Sequence, residues 1–242
     1  MTSWKTQIIK RFDTAAPHYG RHSHIQQRVA QSLLKFLPET ATNILEIGCG
    51  DGALNRLLAQ KYPKSQLTAT DISTAMLAKA QQNLKAHRAI NWQQMDGENI
   101  NSAGRYDLIV SNMTVQWFED WSAAAQQWQQ HLTENGLIVT TRPGVDNFKE
   151  WAQSLQDVGL PDNGLLKPQA TTARLLQQEC LPTQYPSTLS FLKAMRKTGA
   201  TTANKAHKPL STSQFKQACA HCDEHYNSTL TWHILYESLT KS

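Results

Sequence analysis

Several things are scarce in this chain, and each scarcity excludes a class of protein. Its 242 residues contain no apolar run of the roughly 18 to 20 residues that a bilayer-spanning helix needs. The opening Met1-Thr2-Ser3-Trp4-Lys5 has no apolar signal core, so export is not expected. Only four cysteines occur (Cys49, Cys180, Cys219 and Cys222), too few and too irregular for a disulfide framework. Reduced thiols in a cytoplasm are the simpler reading. Cys219-Ala220-His221-Cys222, followed by His225, lacks the second separated pair that a structural zinc site takes, so no metal is expected. Acid is absent too, but only locally. Residues 1–35 carry six Lys/Arg against the single acid Asp13, and residues 185–218 carry six against none. Residues 36–184 hold eleven bases and fifteen acids, and residues 219–242 one base and three acids, so the excess behind the net +5 sits in 1–35 and 185–218. Flanks of one sign would steer an acidic partner; a merely solvated basic surface is the plainer alternative.

What is present reads as one α/β domain. A 40% hydrophobic content over this length suffices for a sizeable core. Ile25, Val29, Leu33, Leu34 and Leu37 recur at helical spacing until Pro38. Strands are expected at 43–47, 66–70, 89–93, 106–110 and 136–141, the last introduced by an Asn135-Gly136 turn, with Ser111-Asn112 as a turn after the fourth. Helices are expected between them, at 53–60, after an N-cap at Ser73, and at 120–131. Such alternation builds a parallel sheet covered on both faces. Further helices are expected near 146–157, 187–198 and 211–225, and a late strand at 229–239. Residues 172–183 fit a helix or a strand.

The strongest local signal is Glu46-Ile47-Gly48-Cys49-Gly50-Asp51-Gly52, a glycine turn leaving the first strand. Glycines let the chain turn sharply and let a ligand lie against the backbone. Dinucleotide-binding folds share that feature. Asp71, at the end of the second strand, is placed to accept from two ribose hydroxyls, and Asp96, at the end of the third, from an adenine amino group. The additional acid Glu46 suits a cationic amino-acid ligand better than a pyrophosphate. Cys49 has no basic partner that would make it a nucleophile.

These residues resemble the class I S-adenosylmethionine-dependent methyltransferases. The resemblance, over 43–141, implies a Rossmann-like domain with a mostly parallel seven-stranded sheet, N-terminal helices and a helical substrate-covering insertion. It implies S-adenosyl-L-methionine as cofactor. Glu46, Gly48, Cys49, Gly50, Gly52 and Asn112 would lie along its methionine part. Asp71, Ile72, Met76, Asp96 and Gly97 would lie along its adenosine.

The flanks are similar to the malonyl-[acyl-carrier-protein] O-methyltransferases of biotin synthesis. The resemblance rests on Arg11 to Tyr19, His22 to Gln26, Ser111 to Trp117, Gly159 to Asn163, Phe191 to Thr201 and Leu230 to Tyr236. It implies one domain over 1–242, with a helical cap at 1–38, a cofactor core at 39–143, substrate-side insertions at 144–228 and a final strand at 229–242. It favours a strand at 172–183. It also implies methylation of the free carboxylate of a malonyl thioester, with an acidic acyl carrier protein docked on the basic flanks and neither membrane nor nucleic acid as partner. A carboxylate is already ionised at neutral pH, so positioning suffices and no general base is expected. Arg142, Lys193 and Arg196 are candidates to orient that carboxylate, with Tyr19, Gln116 and Trp117 as pocket walls. Two alternatives stay open: another small carboxylic acid or a quinone precursor as acceptor, and a nucleic-acid-associated or catalytically silent cofactor-binding protein.

Overall fold

A computed structural model of the chain describes residues 3–85, 90–161, 168–200 and 210–241. Met1, Thr2, Ala89, Asp162, Asn163, Thr201 and part of the basic stretch 185–218, which the sequence reading used, lie outside them. The strands are β1 (Asn43–Ile47), β2 (Gln66–Asp71), β3 (Asn91–Gln94), β4 (Tyr106–Asn112), β5 (Leu132–Pro143), β6 (Arg174–Gln184) and β7 (Thr229–Thr240). They form one sheet in the order β3-β2-β1-β4-β5-β7-β6. Pairings from β3 through β5 are parallel, and β7 runs antiparallel to both β5 and β6. Residues 172–183 resolve to a strand because β7 offers them a ladder from Arg174 to Gln184.

Alternation along the strands feeds two cores. Ile44, Leu108, Val110 and Val139 join a large cluster on one face; Leu45, Ile47, Ile109 and Ile138 join a second on the other. The second face is covered by α5 (Trp121–Gln130), where Trp121, Ala124, Ala125 and Trp128 form the buried stripe. The larger cluster takes in α2 (His24–Leu33), α3 (Ala53–Lys61), α4 (Thr74–Asn83), α6 (Lys149–Asp157), α7 (Thr188–Lys197) and α8 (Thr212–Tyr226). The N-terminal α1 (Ser3–Ala15) lies against α4. Ser73 caps α4 as its sequence suggests, accepting from the Met76 N–H.

Two boundaries depart from the sequence expectation. Ser111 and Asn112 continue β4, paired with Thr140 and Thr141, instead of turning. β5 begins at Leu132, and Asn135-Gly136 sit in an irregularity between the pairs Tyr106–Leu132 and Leu108–Leu137. A bulge absorbs the turn-forming dipeptide without ending the strand.

Candidate active site

The order of strands reverses at β1, whose neighbours β2 and β4 leave on opposite sides. Open α/β sheets bind ligands at that switch, beyond the carboxyl ends of the strands. A cleft of about 950 Å³, mouth included, opens there. Every described residue lining it falls between Lys5 and Phe118.

The turn after β1 is built by backbone bonds. The Cys49 N–H donates to the Thr70 carbonyl at 2.8 Å and the Gly52 N–H to the Cys49 carbonyl at 3.0 Å. Gly48 takes φ +73°, and a Cβ there would meet Thr114 side-chain atoms at 2.3 Å, so only glycine suits the position. Asp71 closes the turn: its Oδ2 accepts from the Gly50 N–H at 2.9 Å and its Oδ1 from the Ser73 N–H at 2.8 Å. Burial outweighs those bonds and pushes the Asp71 carboxyl up to about 6. Glu46 is buried, takes a hydrogen bond from the Asn55 amide, and is raised well above the carboxylate range by burial and then by Asp71 and Asp51. Burial likewise raises the Cys49 thiol, which removes the thiolate a nucleophile would need.

Beyond β3, Asp96 Oδ1 accepts from the Glu98 N–H at 3.0 Å, and its Oδ2 pairs with Lys5 of α1. Beyond β4, the Asn112 amide donates to the Gln26 carbonyl at 3.0 Å and accepts from Thr141 Oγ1 at 2.8 Å. Gln26 also lines the cleft, and its Oε1 is a buried acceptor with no hydrogen bond among the described residues. Among the described residues, the lining acids Glu46, Asp51, Asp71, Asp96 and Glu98 face a single lining Lys or Arg, Lys5. The cleft therefore favours a cation and hydrogen-bond donors.

The structure brings Glu46, Gly48, Cys49, Gly50, Asp71, Ile72, Met76, Asp96, Gly97 and Asn112 together on this cleft, with Tyr19 and Trp117. Gly52 instead stands behind it as the residue before α3, at φ +87°, where a Cβ would strike Leu84. Four substrate-side expectations need correction. Arg142 points into the sheet, where Nε and Nη2 donate to the two oxygens of Glu237 at 2.7 and 2.9 Å. The Gln116 amide turns back to the Met113 carbonyl at 2.8 Å. Lys193 and Arg196 are exposed on α7, outside the lining. Sequence reasoning missed Lys5, Ile8 and Phe12, which line the cleft from α1. Their spacing of three and then four residues on a helix was the available signal.

A methyltransferase-domain family profile matches residues 45–138. The malonyl-[acyl-carrier protein] O-methyltransferase of Magnetococcus marinus is 31% identical, over 98% of this chain and 93% of its own length. This chain belongs to the malonyl-[acyl-carrier protein] O-methyltransferase family. The family member from Bacillus cereus is 29% identical over 98% of this chain and 97% of its own. Among solved structures, the N-methyltransferase NodS of Bradyrhizobium japonicum, determined with S-adenosyl-L-homocysteine, has a TM-score of 0.56 at 16% identity. It covers 98% of this chain and 97% of its own, and shares the fold. Among the described residues no cluster of potential metal ligands occurs. None of the described helices is long and apolar enough to cross a membrane.

Proposed function

We propose that this chain transfers a methyl group from S-adenosyl-L-methionine to the free carboxylate of a malonyl thioester on acyl carrier protein. One observation carries the reading: in a chain of this family, the acids Glu46, Asp71 and Asp96 meet at one cation-favouring cleft. The buried acceptor Gln26 Oε1 fits the same ligand, which brings an ammonium and a sulfonium. Asp71 takes the ribose hydroxyls, Asp96 the adenine amino group, and Glu46 with the Gly48–Gly50 backbone the methionine end.

When bound, the cofactor supplies a methyl carbon made electrophilic by its sulfonium. The chain's own task is positioning. A carboxylate oxygen attacks that carbon as the carbon–sulfur bond breaks, so no proton moves and no side chain serves as base. Tyr19 and Trp117 wall the acceptor end. The phenol of Tyr19 is raised by burial and then by Asp51 and Asp71, so it stays a neutral donor. A neutral donor orients a carboxylate without quenching its nucleophilicity. Lys193 and Arg196, exposed on α7, join the basic N-terminal segment as a docking surface for the acidic carrier.

Incubation with labelled S-adenosylmethionine and, in parallel, malonyl carrier, malonyl-CoA and free malonate tests the reaction. A malonyl methyl ester is expected from the carrier. No ester on any malonyl acceptor overturns the reading. The rate on the carrier is expected to fall steeply with salt, and Arg196→Ala to slow it while cofactor affinity stays unchanged. A salt-independent rate removes the docking surface.

A further inference from the structure

Lys5, Ile8 and Phe12 share one face of α1, and that face forms a wall of the cleft. The helix is fastened at both ends. Near its C-terminus, Phe12 packs edge-on against Trp117 at 5.7 Å, and Asp13 accepts from Ser73 Oγ at 2.5 Å. At its N-terminus the Lys5 ammonium reaches between two acids, Asp96 and Glu98, the latter at 2.8 Å. All three side chains are largely buried, at 12% exposure for Lys5, 22% for Asp96 and 10% for Glu98. Burial pulls the Lys5 ammonium down, but the hydrogen bonds and charges of both acids hold it above the ordinary lysine value. It stays charged at every physiological pH.

The two acids are not equivalent. Glu98 is fixed from behind, because its Oε1 accepts from the Glu119 and Asp120 N–H groups at 2.8 and 2.9 Å, where α5 begins. Asp96 stands on the loop after β3 and is the acid assigned above to the adenine amino group. On that assignment one carboxylate would serve two donors, the Lys5 ammonium of the helix and the adenine amino group.

We propose that α1 is a gate over the cofactor cleft with Lys5 as its latch, anchored on Glu98 and shared with the adenine at Asp96. Exchange of the cofactor requires the ammonium to release Asp96 and the N-terminal turns of α1 to lift. This rests on the assignment of Asp96 in the proposed function.

Stopped-flow binding of S-adenosylhomocysteine, followed by tryptophan fluorescence because Trp117 lines the cleft, tests the latch. Lys5→Met and Glu98→Gln are each expected to raise both association and dissociation rates roughly fivefold, with the equilibrium constant changing less than either. Lys5→Arg is expected to restore slow exchange. Lys10→Met, an exposed site on the same helix, is expected to leave both rates unchanged. Amide hydrogen exchange over residues 3–15 is expected to quicken in Lys5→Met without any ligand. Unchanged binding rates in both latch variants, or unchanged amide protection in Lys5→Met, overturn the proposal. A wild-type chain that fails to bind S-adenosylhomocysteine sinks the cofactor reading, and the exchange measurement still decides the latch.

Discussion

Glu46 and Glu237 are buried almost equally, at 1% and 3% exposure, in the same sheet, yet the fold treats them in opposite ways. Glu237 on β7 meets a guanidinium face to face, with two parallel bonds from Arg142 on β5. Glu46 on β1 has only the amide of Asn55 as a side-chain donor, two more acids nearby, and no ion pair among the described residues. Burying a charge without a partner is costly, so the unpaired carboxyl holds its proton more tightly. The difference separates two purposes. Glu237 has its counter-ion inside the fold, whereas Glu46 is left without one, which is the arrangement a cationic ligand would satisfy.

The largest effect is expected where the architectural pair is broken. Arg142→Met should destabilise the chain by about 3–5 kcal/mol, because it strands a buried carboxylate. Urea denaturation measures this, and methyl transfer per folded molecule should be unchanged. Full stability with lost malonyl turnover would return Arg142 to the substrate. At the cleft the effect is expected to depend on pH. Asp71 has a folded value of about 6 against an ordinary 3.8, so its stabilising contribution is complete below about 4 and is lost as pH rises through 6. Asp71→Asn should therefore lose the fall in stability between about pH 4 and 6, although its amide can replace only one of the two acceptors that the Gly50 and Ser73 N–H groups use. The same substitution should weaken cofactor affinity about a hundredfold, since the ribose loses a charged acceptor. In the wild type, affinity measured by calorimetry should decline as pH falls below 6, where Asp71 takes up its proton. Equal stability at all pH values would mean that Asp71 carries no burial cost.

Gly48→Ala comes next. A side chain at φ +73° that also meets Thr114 should cost about 1–3 kcal/mol and lower cofactor affinity with it. The smallest effect is expected from Ser73→Ala, about 1 kcal/mol from the lost cap of α4, read as a shift in thermal midpoint.

Strands β1, β2, β4 and the core of β5 were legible because alternation and apolar runs are local signals, and the acids at strand ends were legible because the strands were. Ten of the eleven residues that the sequence reading assigned to a cofactor line one cleft for that reason. Arg142 shows where local reading stops. An arginine beside a proline at a strand end looks like a site residue until Glu237, ninety-five positions later, is seen beside it. Gln116 and Lys193 fail similarly, since the rotation of a short helical turn and the outward face of α7 depend on packing from elsewhere. Lys5 was hidden by its charge. On an N-terminal helix a lysine reads as solvated, and only the meeting of that helix with the loop after β3 makes it a wall of the cleft.

The position of β7 bears on how the chain is made. It is the last strand in sequence, yet it lies between β5 and β6 and carries the ladders that join them. A ribosome delivers β6 with its ladder partner still unsynthesised, and that strand must wait with its backbone unpaired until β7 emerges. The Glu237 that Arg142 requires arrives in the same segment. The assembly of this sheet is therefore closed by β7, and a nascent chain halted before Thr229 would hold both an unpartnered strand and an Arg142 without its acid.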